Sequence, residues 1–327
     1  MIYVHRTDIK RTPGINVRDL DRALARVIGD IEFAVTKQGH LSAESKQLIP
    51  NLLSQFLTTH ESILALIRKV KRNPLLATDA VSLCREQVEK LYILALIVER
   101  PSKWIRQYLR NNWQSMYERH LTVRDEYREM ERFKDFIELQ RRTLDRMKRW
   151  PNKDSKRGYV LLVSDRAEKA ARFGHYNRNA PAGQWPQYFG KGTKNKYIAY
   201  FSFPTPGKAL KKIGKQLLKS WLERWYEEYK YFSAFTHGQL DKLMLEFLVR
   251  NKSAAASDKL AQIRLRLVEE TVHASYAAAT TACTIVATAL ETDYGSKKEL
   301  REFWELLSRT ALFARAMWDG WGKKILL

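Results

Sequence analysis

Apolar residues recur at helical spacing through nearly the whole chain, and this periodicity limits the fold more than any other feature of the sequence. In residues 17–38, for example, Leu20, Leu24, Val27 and Ile31 fall on one face of a helix. The same pattern predicts further helices at residues 43–72, 75–99, 101–149, 207–237, 239–252, 256–291 and 296–322. The sequence therefore predicts an all-α fold, most simply an antiparallel helical bundle with extra helices near its C-terminal end.

Residues 150–207 interrupt the helical pattern. They are rich in glycine, proline and aromatic residues, and the first two break helices and form turns. One short helix at 164–172 and one strand at 197–203 are the regular elements we expect there. The chain then has three parts: the N-terminal helices of the bundle (1–149), a basic irregular insertion (150–207) and the C-terminal helices that complete the bundle (208–327).

The chain is strongly basic, and most of the excess charge lies in one region. Its 327 residues include 58 Lys and Arg against 36 Asp and Glu, a net charge of +22. The stretch from Arg141 to Ser220 has 20 Lys and Arg against 4 Asp and Glu, a net +16, which leaves +6 for the other 247 residues. A concentrated positive charge of this kind indicates contact with phosphates.

We expect this region to bind RNA or single-stranded DNA. Its interleaved aromatic residues offer surfaces on which unpaired bases stack; alternatively, they hold the insertion against the bundle. The basic residues predicted to contact nucleic acid are Arg149, Lys153, Lys156, Arg157, Lys191, Lys194, Lys196, Lys211, Lys212 and Lys215.

Cysteine and histidine usage excludes several other classes of protein. Cys84 and Cys283 are too few for a disulfide framework, so we expect a reducing cytoplasm. No histidine has partners at metal-ligand spacing and there is no glycine-rich phosphate loop, so neither a metal nor a cofactor is expected. The least polar run, residues 274–290, is short for a membrane span. We expect it to be a helix of small side chains packed closely against a neighbour, and we expect no membrane partner.

Two groups of polar residues lie within apolar helical patterns. Arg85 and Glu89 are one turn apart inside an apolar stripe, where their charges need each other and a further hydrogen-bonding partner. Farther along, Tyr229, Ser233 and His237 are spaced by four and form a polar seam on another predicted helix. The seam makes His237 a candidate catalytic residue, because a histidine titrates near neutral pH.

These motifs, R-x-x-x-E at 85–89 and Y-x-x-x-S-x-x-x-H-G at 229–238, resemble those of a bacterial family of helical proteins known as a domain of unknown function and related to the HEPN superfamily. The matching segments are residues 80–101 and 208–238, about a sixth of the chain. The resemblance implies a HEPN-like bundle whose site would combine Arg85, Glu89, Tyr229, Ser233 and His237.

The resemblance also implies a chemistry and a homodimer. Many HEPN domains are metal-independent ribonucleases of toxin and antiphage systems, with an arginine and a histidine paired near a dimer interface. The histidine would take the proton of a ribose 2′-hydroxyl and the arginine would stabilise the phosphorane. The positions for that arginine upstream of His237 hold Phe232, Tyr231 and Lys230, so Arg85 would supply the cation from the other helix.

Three functions remain open on the sequence alone. The first is a ribonuclease-type effector of a bacterial antiphage or toxin system. The second is a non-catalytic nucleic-acid-binding or scaffolding subunit of a larger defence complex, with a partner protein. The third is an interaction module whose basic face binds an acidic partner. A second arginine–histidine pair, Arg266 and His273, lies on one face of another predicted helix and is an alternative to His237.

Overall fold

The computed structural model describes residues 17–151, 155–177, 202–236, 246–251, 253–290 and 294–326. Helix predominates throughout this part of the chain, which confirms the all-α class. The helices are α1 (Val17–Lys37), α2 (Ala43–Lys69), α3 (Leu76–Glu99), α4 (Pro101–Tyr127), α5 (Lys134–Met147), α6 (Asp165–Tyr176), α7 (Pro206–Leu210), α8 (Gln216–Thr236), α9 (Ala254–Ala289), α10 (Tyr294–Thr310), α11 (Leu312–Met317) and α12 (Lys323–Leu326).

The chain forms two compact units. The first consists of residues 1–99 and 205–327, and the second of residues 100–204. The second unit thus takes in α4 and α5, whereas the three-part division of the sequence grouped these residues with the N-terminal helices. It also holds a small antiparallel sheet of β1 (Arg149–Pro151) and β2 (Tyr159–Leu161).

Helix α3 lies at the centre of the first unit, where it packs against α2, α8 and α9. Its buried residues surround the helix axis and include Val81, Leu91 and Leu96. A helix that is apolar on nearly all sides is stable inside a core, because every side then removes apolar surface from water. Arg85 and Glu89 therefore lie on the central helix of the first unit, which the other helices surround.

Small side chains allow α9 to pack tightly in the same core. Residues 274–287 are all buried, and the helix contacts both α2 and α3. Thr280 and Thr284 donate their hydroxyl groups to carbonyls one turn earlier, at 2.7 and 2.9 Å, so these polar atoms are satisfied without water. The close packing predicted for this run is confirmed. Among the described residues, no helix has both the length and the low polarity needed to cross a bilayer.

A chain of polar side chains connects α1, α2, α3 and α9, and all of them are buried except the partly exposed Asp21. Nδ1 of His60 lies 2.8 Å from Oγ of Ser275, whose hydroxyl donates to Gln87 at 2.7 Å. Gln87 donates in turn to the carbonyl of Phe56, and Nε2 of His60 lies 3.4 Å from Asp21. Burial lowers the pKa of His60 more than the Asp21 carboxylate raises it.

The second unit is organised around α4. The indole nitrogen of Trp113 donates to the carbonyl of Leu144 on α5, at 3.1 Å. Nε of Arg110 donates to the carbonyl of Leu162, just after β2, at 2.9 Å. These two bonds hold α5 and the sheet against the same helix.

The structure corrects the prediction of one helix over residues 101–149. Helix α4 ends at Tyr127, a 3-10 turn follows at Glu131–Phe133, and α5 runs from Lys134. Residues 128–133 contain neither glycine nor proline, so nothing in the local sequence marks the break. The reversal buries Leu144 against α4 and brings the rings of Tyr127 and Phe133 to 4.5 Å. Tertiary packing thus overrides the local helical pattern.

Candidate functional site

Helices α3 and α8 of the first unit carry the predicted polar residues side by side. The hydroxyl of Tyr92 on α3 donates at 2.8 Å to a backbone carbonyl of α8, which fastens the two helices together. Arg85 and Glu89 are one turn apart on α3, and Tyr229 and Ser233 are one turn apart on α8. Each pair therefore projects from one face of its helix, and the two pairs meet.

The Arg85 guanidinium is the centre of this arrangement. Its Nε donates to Oγ of Ser233 at 3.2 Å, and its Nη2 donates to the hydroxyl of Tyr229 at 3.3 Å. Nη2 also lies 3.5 Å from Oε2 of Glu89, and the guanidinium carbon lies 5.4 Å from the centre of the Tyr229 ring. We call Arg85, Glu89, Tyr229 and Ser233 the Arg85 cluster. The sequence predicted one further hydrogen-bonding partner for the Arg85–Glu89 pair, and the structure has two, the hydroxyl groups of Ser233 and Tyr229.

The Arg85 cluster lies at the edge of the core, in contact with solvent. The Arg85 side chain is 21% exposed and that of Glu89 is 40% exposed. Burial alone would lower the pKa of Arg85, but the pKa is raised because Tyr229, Glu89 and Glu86 together favour the cation. With Nε and Nη2 engaged in these bonds, Nη1 is the part of this fixed and partly exposed guanidinium that can donate to a phosphate oxygen.

The described residues that were predicted to contact nucleic acid belong to both units. In the second unit, Arg149 lies over the Tyr159 ring at 5.4 Å, and Lys156 and Arg157 are exposed between β1 and β2. In the first unit, the exposed residues Lys211, Lys212 and Lys215 follow α7. The remaining predicted site residues lie outside the described residues: Lys153, Lys191, Lys194, Lys196 and His237.

A groove between α7 and α8 lies next to the Arg85 cluster. We call this cavity of about 480 Å³ the α7–α8 groove, and its charged lining residues are Lys208, Lys211, Lys219 and Glu223. Tyr226 also lines it, and the Tyr226 ring stacks on that of Tyr229 with 6.0 Å between centres and 12° between planes.

Sequence reasoning missed most of the groove. Tyr226 precedes Tyr229 by three residues on one predicted helix, so helical spacing alone already places it beside the cluster. Lys208 and Lys219 belong to the same basic stretch as the predicted lysines, but their approach to Tyr226 depends on the turn between α7 and α8. The helix predicted at 207–237 did not include this turn, although Gly214 lies in it.

Two aromatic residues of the basic stretch are engaged within the second unit. The ring of Phe203 meets Trp104 and Tyr108 edge to face, at 5.6 and 5.9 Å. The Tyr176 hydroxyl donates to Asp125 and accepts from Arg124. For Phe203, the structure favours a packing role over base stacking, whereas Tyr176 is 49% exposed and both roles stay open for it. The strand predicted at 197–203 lies mostly outside the described residues, and Ser202 and Phe203 are not in a strand.

The alternative pair on α9 is engaged differently from the Arg85 cluster. Nε of Arg266 donates to Glu270 at 2.7 Å, and the same carboxylate accepts from the Tyr231 hydroxyl at 3.0 Å. Burial lowers the pKa of His273, which favours its neutral form. Arg266 is thus paired with a glutamate of its own helix at 2.7 Å, as Arg85 is with Glu89 at 3.5 Å.

No family model, curated protein or solved structure matches this chain. Within the described ranges, no group of three or more His, Cys, Asp or Glu residues could hold a metal ion. The proposed function therefore depends on the chain's own geometry.

Proposed function

We propose that the protein binds single-stranded nucleic acid and that the Arg85 cluster contacts the phosphate backbone. The observation that carries this proposal is the Arg85 guanidinium, held by Ser233 and Tyr229 where it still reaches solvent. The neighbouring α7–α8 groove adds lysine side chains that attract polyanions at long range.

Cleavage of RNA is a further step that this arrangement favours. His237 follows Ser233 by four residues in the sequence and would act as the base. It would accept the proton of a ribose 2′-hydroxyl, whose oxygen forms a bond to phosphorus while the bond from phosphorus to the 5′-oxygen breaks. The products would be a 2′,3′-cyclic phosphate and a 5′-hydroxyl that takes its proton from water. Arg85 would stabilise the charge on the phosphorane.

A non-catalytic role is the second candidate, and one observation favours it. The Arg85 guanidinium already contacts three side chains of its own molecule, two from α8 and one from α3. Such a network can serve to join the helices, with nucleic acid bound by the lysines alone. In that case the protein is a binding or scaffolding subunit of a larger complex.

We include in this proposal the type of bundle, the cellular location and the biological system. A HEPN-like antiparallel bundle, acting in the cytoplasm as part of a bacterial antiphage or toxin system, agrees with the two motifs and with the location of Arg85 beside Ser233. A homodimer and a partner protein of the defence system are the assemblies that this setting implies.

The test is incubation of end-labelled single-stranded RNA and DNA with wild type, Arg85→Gln and His237→Ala. The matched control is Arg22→Gln, because Arg22 on α1 is 81% exposed and its loss removes the same charge. Cleavage by wild type and the control, but by neither site variant, supports the enzyme. Binding without cleavage in wild type supports the subunit. Cleavage retained in His237→Ala would exclude His237 as the base, and absence of binding at low salt would contradict both.

A further inference from the structure

The α7–α8 groove has a charge pattern of its own. Lys208, Lys211 and Lys219 surround it, with Glu223 as a single acidic residue in the lining. Within the part of the chain that the structure describes, none of these three ammonium groups forms an ion pair with a carboxylate. Like charges gathered at one concavity repel one another, and an anion of matching charge relieves that repulsion.

One wall of the groove is held in position by a close backbone contact. A Cβ atom at Gly207 would lie 2.9 Å from the hydroxyl oxygen of Tyr226, so glycine allows the phenol to approach α7. The Tyr226 ring also stacks on the ring of Tyr229. The Tyr229 hydroxyl accepts a hydrogen bond from Arg85. The groove and the Arg85 cluster are therefore continuous through two tyrosine rings.

We propose that the α7–α8 groove binds the terminal phosphate monoester of a nucleic-acid strand whose backbone continues to the Arg85 cluster. This inference rests on the proposed nucleic-acid binding. A terminal monoester carries close to two negative charges at neutral pH, whereas an internal diester carries one. Three lysines and one glutamate give the groove a net charge of +2, which complements the monoester. Lysine suits this ligand because its ammonium group binds phosphate as a point charge.

The size of the groove agrees with such a ligand. A cavity of about 480 Å³ is in the range of sites that hold small molecules. It therefore accommodates a phosphate together with part of the terminal nucleotide. The hydroxyl groups of Tyr226 and Thr205 in the lining can bond to a phosphate or sugar oxygen without adding charge.

The test compares three single-stranded RNAs of related sequence by fluorescence anisotropy. One has a 5′-phosphate, one has a 3′-phosphate, and one has hydroxyl groups at both ends and is two nucleotides longer. The longer RNA carries the same total charge as the phosphorylated ones, so any preference reflects the terminal phosphate itself. We expect wild type to bind one of the phosphorylated RNAs at least about tenfold more tightly, as charge-assisted hydrogen bonds would give. The preferred end identifies which terminus enters the groove.

The variant Lys208→Ala/Lys219→Ala tests whether the groove carries that preference. It should lose the preference and bind all three RNAs with equal affinity. The variant Lys69→Ala/Lys71→Ala removes the same charge from exposed positions at the end of α2 and should keep the preference. Circular dichroism spectra check that each variant is folded.

Two outcomes overturn the inference in distinguishable ways. Equal binding of all three RNAs by wild type would exclude a terminal-phosphate site while leaving nucleic-acid binding intact. A preference that survives in Lys208→Ala/Lys219→Ala would place the site elsewhere on the molecule. Failure to bind any of these RNAs, or single-stranded DNAs of the same sequences, would reject the proposed function itself and the inference with it.

Discussion

Arg85 and Ser233 are 148 residues apart in the chain and are joined by a hydrogen bond of 3.2 Å from Nε to Oγ. The bond links α3 to α8 at a point where the guanidinium still reaches solvent. An arginine fixed in this way has lost part of its rotamer freedom before it meets a ligand. It can therefore bind a phosphate at a smaller entropic cost than a mobile surface arginine.

The bond predicts a stability change. In Ser233→Ala, Nε of Arg85 loses its acceptor, and we expect the free energy of unfolding to fall by about 1 kcal/mol. Ser62→Ala is the matched control, because the Ser62 hydroxyl bonds only to its own helix at an exposed site. Urea unfolding of both variants measures the difference. Equal stability of the two variants would mean that the Arg85–Ser233 bond contributes nothing to folding.

Stability should also depend on pH through buried histidines. Burial lowers the folded-state pKa of His60 below its ordinary value of 6.5, and His120 and His273 shift in the same direction. Below about pH 6.5 the unfolded chain therefore binds more protons than the folded chain, so the free energy of unfolding falls as the pH falls. The slope is at most about 1.4 kcal/mol per pH unit for each histidine.

Urea unfolding from about pH 7.5 to about pH 5.5 measures this slope. His60→Gln should reduce it, because the lowered pKa of His60 then no longer contributes. An identical slope in His60→Gln and wild type would show that His60 does not titrate in this range.

Gly29 on α1 and Gly322 in the π-helical turn Trp318–Gly322, which follows α11, should respond to alanine in opposite directions. A Cβ at Gly322 would lie 2.8 Å from the ring of Trp318, which is buried, so Gly322→Ala should cost about 1–3 kcal/mol through overpacking. A Cβ at Gly29 on α1 meets nothing within 4 Å, so Gly29→Ala should stabilise the helix by about 0.5–1 kcal/mol. Thermal unfolding of the two variants would contradict this explanation if the melting temperatures changed in the same direction.

The lysines that follow α7 should determine part of the salt dependence of binding. Replacing Lys211, Lys212 and Lys215 with glutamine should lower the log–log slope of affinity against salt by about 0.7 for each phosphate that is no longer neutralised. The exposed pair Lys69 and Lys71, replaced in the same way, should leave the slope close to that of wild type. An unchanged slope in the triple variant would mean that these lysines do not bind the strand.

Helical spacing was sufficient to predict most of the first unit. It located α1, α2, α3 and α9 to within a few residues and placed Arg85 and Tyr229 on faces of helices that turned out to be neighbours. This worked because both pairs of polar residues follow the four-residue repeat of the helix that carries them, and a buried charge needs a partner.

Features that depend on distant packing could not be predicted in this way. The reversal between α4 and α5 has no glycine or proline to mark it, and it is stabilised by contacts such as Trp113 to Leu144. The α7–α8 groove likewise depends on Gly207 meeting Tyr226 across a turn. The buried hydrogen bond between His60 and Ser275 joins residues 215 positions apart, and the sequence around either residue does not predict its partner.

The most direct test of the central claim is the affinity of wild type and Arg85→Gln for single-stranded RNA across a series of salt concentrations, with Arg22→Gln as the control. We predict that wild type and the control bind with a steep salt dependence. Arg85→Gln, still folded by circular dichroism, should bind at least about tenfold more weakly, with a log–log slope reduced by about 0.7. Equal affinity and slope in Arg85→Gln and wild type, or no binding by wild type at low salt, would contradict the proposal that the Arg85 cluster contacts a nucleic-acid backbone.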